Sequence, residues 1–324
     1  MGAVERAKKT ESGAHEASAS AFHDAPFSLA MVWINVGVFV AEVLFTAQTS
    51  DASASYPSRM LGALIDISQH TKMVFGANYS SATLYDGRID TLLASCFLHG
   101  SLMHIAFNMV ALRAVGPELE RIVGTGRVAL LYVGAGIVSG MFSTLEGWAF
   151  RQERLGVGAS GAICGLIGAA LVVGYRTGGA SSPLLRSRAM WLITIFTIGF
   201  AVMLLQVANF DNAAHFGGAI SGGVIALLWQ RGEENPLGRT VGIGVSAGIM
   251  IAALVAVTIR DERDPFAVMI MSERIEAAQV AAAHGDCGKA WNAALSARRV
   301  ARRDPQTLHA IYLVRSACGI PDEA

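Results

Sequence analysis

Charge is scarce in this chain. Only 15% of its 324 residues are Asp, Glu, Lys or Arg, against about a quarter in an ordinary soluble domain. The 25 basic and 25 acidic side chains cancel, so the basic footprint expected of a nucleic-acid-binding protein is missing. Cysteine is rarer still, with four residues and no metal-binding spacing among them. There is no HExxH pair, and His99 and His104 stand five apart, about 500° around a helix, so they diverge. No metal site is expected, and no cofactor motif is visible. Paired carboxylates and proline-broken helices are missing from the apolar runs, and one half of the chain does not repeat the other, which argues against a small-solute transporter.

What the chain has in excess is apolar surface. Hydrophobic residues make up 53% of it, and the mean hydropathy is +0.46. Long uncharged runs alternate with short charged loops, as in a polytopic membrane protein. The 35 glycines suit closely packed membrane helices. The fold class expected is an all-α membrane protein with six core spans, at about 28–47, 91–112, 128–145, 155–175, 189–209 and 212–230, and a seventh at about 240–259. The segment 1–27 reads as a disordered lead, polar and rich in Ala, Ser and His. Met60 to Ala77 reads as an interfacial or re-entrant segment. The charged tail, 260–324, reads as a small helical hairpin that loosely resembles a tetratricopeptide pair. Its Cys287 and Cys318 can pair if the tail stands in an oxidising compartment; the sequence leaves this open.

Arginines in the short loops set the orientation. With the N-terminus inside, inner loops carry Arg113, Arg121 and Arg127, then Arg176, Arg186 and Arg188, then Arg231 and Arg239, while the short outer loops carry only Arg151 and Arg154. The tail is then outside.

Polar groups inside spans are costly and mark function or packing. The first span holds Asn35 and Glu42, which should face protein or the interface; the second holds His99, His104 and Asn108; the fourth holds Ser160; the sixth holds His215 as its one ionisable residue. Spans two, four and six run in the same direction. Ser160 lies five residues after Leu155, and His215 four after Asp211. At about 1.5 Å per residue both sit roughly 6–8 Å below the outer helix ends. Equal depth permits a hydrogen-bonded pair in which a neutral histidine takes the serine proton during attack. His104 and Asn108, four apart, share one helix face and are suitable oxyanion donors, with the Ser160 N–H a further one. No acidic third member is evident, so the reading is a Ser–His dyad. Each residue also has a packing alternative: Ser160 as helix glue, His215 bonded to a neighbouring carbonyl, His104 and Asn108 as cross-links between helices. Gly218 and Gly222 form a small face beside His215, matched on span four by Gly158, Gly161, Gly165 and Gly168.

These segments together resemble the rhomboid intramembrane serine proteases. FLHGSLMHIAFNM at 97–109 resembles that family's second core helix, and GPELERIVG at 116–124 the loop after it. GASG at 158–161 resembles the nucleophile motif, and DNAAHFGGAISG at 211–222 the histidine helix. The resemblance implies Ser160 as nucleophile, His215 as general base, and His104 and Asn108 in the oxyanion hole. It implies six core helices with a cavity open to the outside, a plasma (inner) membrane location, no cofactor, and transmembrane proteins as substrates; oligomeric state stays open. The alternative is a catalytically silent relative that binds membrane helices. Two departures stand out. Asp90-Thr91 occupies the place of the family's Trp-Arg. Cys164 stands where many members have an aromatic that stacks on the histidine, so the orientation of His215 would fall to another aromatic.

Overall fold

The computed structural model describes residues 24–49, 55–85, 87–152, 154–205, 210–229, 232, 234–263, 267–300 and 305–320. The expected N-terminal lead falls almost wholly outside them.

The described backbone is helical apart from one two-residue ladder. The order is α1 (Pro26–Thr49), α2 (Tyr56–Ile65), α3 (Gln69–Val74), β1 (Asn78–Tyr79), α4 (Ser80–Tyr85), α5 (Thr91–Ala94) with a 3₁₀ turn at Ser95–Phe97, and α6 (Leu102–Val123). Then come α7 (Thr125–Phe150), β2 (Leu155–Gly156), α8 (Ser160–Gly178), α9 (Pro183–Leu205), α10 (Asn212–Leu228) and α11 (Pro236–Arg263). The tail forms α12 (Ala267–Ala283), α13 (Cys287–Val300) and α14 (Pro305–Cys318).

Among the described residues, five helices, α1, α7, α8, α9 and α11, are long and apolar enough to cross a bilayer, and α10 is a shorter apolar helix of 17 residues. The second expected span, 91–112, differs in shape. It is a bent pair: the 91–97 segment meets α6 at 93°. The break has a local cause. Ser101 caps α6, its side chain accepting the N–H of His104, so the helix starts at Leu102 rather than at 91. The GPELERIVG stretch is likewise not a loop; it forms the last turns of α6, with Pro117 inside the helix. Met60 to Ala77 is covered by the short helices α2 and α3.

The helix ends are tied by polar contacts that only the tertiary fold creates. Glu120 on α6 accepts the N–H of Phe27 (3.0 Å) and both the N–H (2.8 Å) and the hydroxyl (2.7 Å) of Ser28, so it caps α1 from within the core. Glu234 accepts the N–H groups of Gly126 and Arg127 at the start of α7, at 3.0 and 2.7 Å. Arg176 donates to the carbonyls of Ala226, Leu227 and Trp229 at the C-terminal end of α10, where a cation also suits the helix dipole.

Helix α8 is the centre. Its Ile163, Leu166, Ile167, Ala169 and Ala170 are buried among α6, α7 and α10. Its contact with α10 is made by backbone. A Cβ on Gly218 would lie 2.0 Å from the Gly161 carbonyl oxygen, and one on Gly222 would lie 2.0 Å from that of Gly165. No side chain fits at either place, which is the close approach the glycine faces suggested. In the tail, α13 and α14 are joined by a Cys287–Cys318 disulfide over a small alanine-rich core.

Candidate active site

The approach of α8 to α10 carries Ser160 and His215 together. Ser160 is the first residue of α8, so its N–H has no intrahelical acceptor. His215 lies in the first turn of α10. The His215 Nε2 stands 2.7 Å from Ser160 Oγ, a good hydrogen bond. Fifty-five residues separate the two in sequence. His215 is buried, and its Nδ1 has no hydrogen-bond partner among the described residues. Asp211, four residues earlier, is engaged elsewhere. It caps α10 by accepting the N–H of Ala214 at 2.8 Å, and it accepts the hydroxyl of Ser143 on α7 in a short hydrogen bond. Among the described residues, no acidic side chain is bonded to the imidazole.

The ring orientation has another source. Phe210 meets the His215 ring edge to face, with centroids 4.7 Å apart. Cys164, at the place of the usual aromatic, is buried in the α8 core instead.

Across the site stand His104 and Asn108 on α6. The glycine at 158 decides how close they come. Gly158 has φ +123°, and a Cβ there would sit 2.7 Å from His104 Nε2 and 3.8 Å from Asn108 Nδ2. A side chain would run into the His104 ring, and the backbone conformation disfavours one as well. The Gly158 N–H is held by the Ser95 carbonyl at 2.9 Å. Asn108 donates to the His104 carbonyl at 3.0 Å, which leaves one amide N–H for another acceptor. His104 Nδ1 accepts the Gly100 N–H at 3.4 Å. Gly158, two residues before Ser160, thus lies against His104 and Asn108. Their donors are of the type an oxyanion needs.

Gly161 and Gly218 lie in the contact beneath this layer. A Cβ on Gly161 would fall on the Ser139 side chain. His99 is not in the layer; it is fully buried, its ring edge-on to His104 at 5.2 Å. The described residues contain no cluster of three or more His, Cys, Asp or Glu able to hold a metal ion.

The segment carrying the Asp90-Thr91 departure is held by its own contacts. Arg88 chelates Asp90 through Nε and Nη2 at 3.1–3.2 Å, and the Thr91 hydroxyl donates to the Arg88 carbonyl at 2.6 Å. Asn78 gave no signal in the sequence. It donates to the Gly140 carbonyl (2.9 Å) and accepts from Thr83 (2.8 Å) and Thr144 (3.1 Å), which fixes the first loop to α7.

The family profile described as Rhomboid domain matches residues 86–232. The chain is 34% identical over 191 residues to the Rhomboid protease GluP of Bacillus subtilis (strain 168), a match covering 57% of this chain and 34% of that protein. It is 36% identical over 149 residues to RHOMBOID-like protein 5 of Arabidopsis thaliana, covering 45% and 47%. It is 26% identical over 220 residues to the Rhomboid protease AarA of Providencia stuartii, covering 62% and 72%. The matches cover only about a third to a half of the length of the first two relatives.

Proposed function

We propose that this chain, whose residues 86–232 match the Rhomboid domain profile, is an intramembrane serine endopeptidase of the rhomboid family that cleaves transmembrane segments of other membrane proteins. The observation that carries this is the 2.7 Å contact between His215 Nε2 and Ser160 Oγ at the start of two closely packed helices. Protease-named relatives support the reaction class.

In the proposed reaction, Ser160 Oγ attacks the scissile carbonyl carbon as its proton passes to His215 Nε2. The carbonyl oxygen becomes an oxyanion facing the Ser160 N–H, His104 Nε2 and the free Asn108 amide N–H. Collapse breaks the C–N bond, and the imidazolium gives its proton to the leaving amine. Water then attacks the acyl-enzyme with His215 again as base, and the carboxylic product leaves Ser160 Oγ regenerated. A dyad suffices here because the Phe210 ring, rather than a carboxylate, constrains the imidazole.

The chain is an integral multi-pass membrane protein. The proposed orientation has the N-terminus in the cytoplasm and the site near the outer face of the plasma membrane. The disulfide supports it. The far end of α11, at Val257, packs on Gly76 in the first loop, so α11 delivers the tail to the side where the site lies. A Cys287–Cys318 bond on that side fits an oxidising compartment.

Labelling with a serine-directed covalent probe tests the nucleophile. Peptide mapping is expected to find the adduct on Ser160, and His215→Ala is expected to abolish it. A wild-type protein that folds but never labels would favour the silent, helix-binding alternative.

A further inference from the structure

Glu42 is a carboxyl group buried inside a membrane span, and the dyad does not use it. It projects from α1 and is 0% exposed. Burial of such a group is costly unless it is hydrogen-bonded. One of its oxygens, Oε2, accepts the N–H of His99 at 3.1 Å. The other, Oε1, has no hydrogen-bond partner among the described residues.

The acceptor is spent on a particular loop. Residues 98–101 join the 3₁₀ turn to α6, and two distant groups hold them. Glu42 takes the N–H of His99, and the Ile67 N–H donates to the Gly100 carbonyl at 2.8 Å. Thus pinned, Gly100 turns its own N–H onto His104 Nδ1 at 3.4 Å. An imidazole nitrogen that accepts a hydrogen bond carries no proton, so a neutral His104 must hold its proton on Nε2. Nε2 is the atom that faces Gly158, two residues before Ser160. The opposite tautomer would present a lone pair there and repel an oxyanion. The neighbours favour the same ring placement. The His99 ring stacks edge-on at 5.2 Å, and Lys72 packs against Gly100 beside it.

We infer that Glu42 is a positioning residue for the reaction: by holding the His99 N–H it sets the 98–101 loop so that Gly100 fixes the His104 tautomer that donates to the oxyanion. The inference rests on the reading of His104 as an oxyanion donor. The role needs an acceptor at 42 but not a charge, so a glutamine carbonyl can fill it and a leucine cannot.

The test uses the full-length protein in liposomes with a transmembrane reporter, comparing Glu42→Leu, Glu42→Gln, His104→Ala and Glu42→Leu/His104→Ala. Loss of one oxyanion donor costs about 10²–10³-fold in kcat, so Glu42→Leu is expected to lower kcat by about tenfold or more with KM unchanged. Glu42→Gln is expected to stay within about threefold of wild type, because it keeps the acceptor. In the His104→Ala background, Glu42→Leu is expected to cost no more than about twofold further, since the two act through one donor. A full multiplicative loss in that background, or equal damage from Gln and Leu, overturns the proposal and leaves a plain packing role. If His104→Ala itself keeps wild-type kcat, the oxyanion reading has failed instead. A second measurement needs no variant to fold. Nitrogen-15 spectra of histidine-labelled wild-type protein, with the His104 signal assigned, are expected to show an Nε2–H tautomer. An Nδ1–H tautomer overturns the proposal directly.

Discussion

The Phe210 ring lies edge to face on the imidazole of His215, with centroids 4.7 Å apart. The contact comes from the segment just before α10 rather than from α8. Position 164, one helical turn into α8, holds a buried cysteine. The aromatic ring beside His215 therefore comes from the histidine helix's own approach and not from the serine helix.

This placement carries the first prediction. Edge-on aromatic contacts are worth about 0.5–1.5 kcal/mol beyond burial, so Phe210→Ala is expected to lower kcat by about two- to tenfold. Phe210→Tyr should retain most activity. Steady-state cleavage of a reporter checks both, and an unchanged kcat in Phe210→Ala would show that the imidazole is held by other means.

Asp211 carries the second. Its carboxylate joins three things: the α10 N-terminus, Ser143 on α7, and by proximity His215. Removing a helix cap costs about 0.5–2 kcal/mol, so Asp211→Ala is expected to lower the thermal midpoint and activity together. Asp211→Asn keeps an equivalent cap and should be milder. In a double-mutant cycle with Ser143→Ala, the coupling is expected at about 0.5–3 kcal/mol. Strict additivity would deny the tie between α7 and α10.

The glycines supply a sharp contrast. A Cβ on Gly222 would stand 2.0 Å from a backbone oxygen of α8, whereas one on Gly248 of α11 meets nothing within 4 Å. Overpacking costs about 1–3 kcal/mol where neighbours can shift, and backbone shifts least, so Gly222→Ala is expected at or above that range. Gly248→Ala should be neutral or stabilising by about 0.5–1 kcal/mol through helix propensity. Thermal unfolding in detergent reads both. Equal effects would refute the close α8–α10 contact.

The tail disulfide gives a prediction about orientation. A membrane-impermeant reductant added to intact cells is expected to free Cys287 and Cys318 for labelling by an impermeant maleimide. Labelling only after permeabilisation would place the tail, and the site with it, on the cytoplasmic side. A Cys287→Ser/Cys318→Ser variant should lose about 2–4 kcal/mol of stability in the tail, as closing such a loop implies, while core cleavage persists.

How much of this was readable from the residues follows from what each contact depends on. Counting from helix ends put Ser160 and His215 at one depth, and their side chains lie 2.7 Å apart. The count itself assumed a helix from Leu155, whereas α8 begins at Ser160 and 155–156 is strand, so the two residues meet at their helix starts and not at equal helical depth. The break in the second span was hidden because no charged residue or proline interrupts 91–112. Only the His99-Gly100-Ser101 sequence, with serine as a cap, hinted at it. The resemblance made 116–124 read as a loop, but the stretch is helical to Val123 and tied by Glu120 to Ser28. Glu120, Asn78 and Glu234 bond to partners 92, 62 and 108 residues away, distances no local pattern encodes. The disulfide pairing was open for the same reason: it needs α13 and α14 folded side by side.

The most direct test of the central claim is cleavage of a reporter transmembrane substrate by purified protein in liposomes, with wild type, Ser160→Ala and His215→Ala compared at matched folding. The account predicts cleavage by wild type and loss of about 10⁴-fold or more in each variant, since removing either member of such a pair disables the nucleophile. Undiminished cleavage by both variants would contradict it and remove Ser160 and His215 from the reaction.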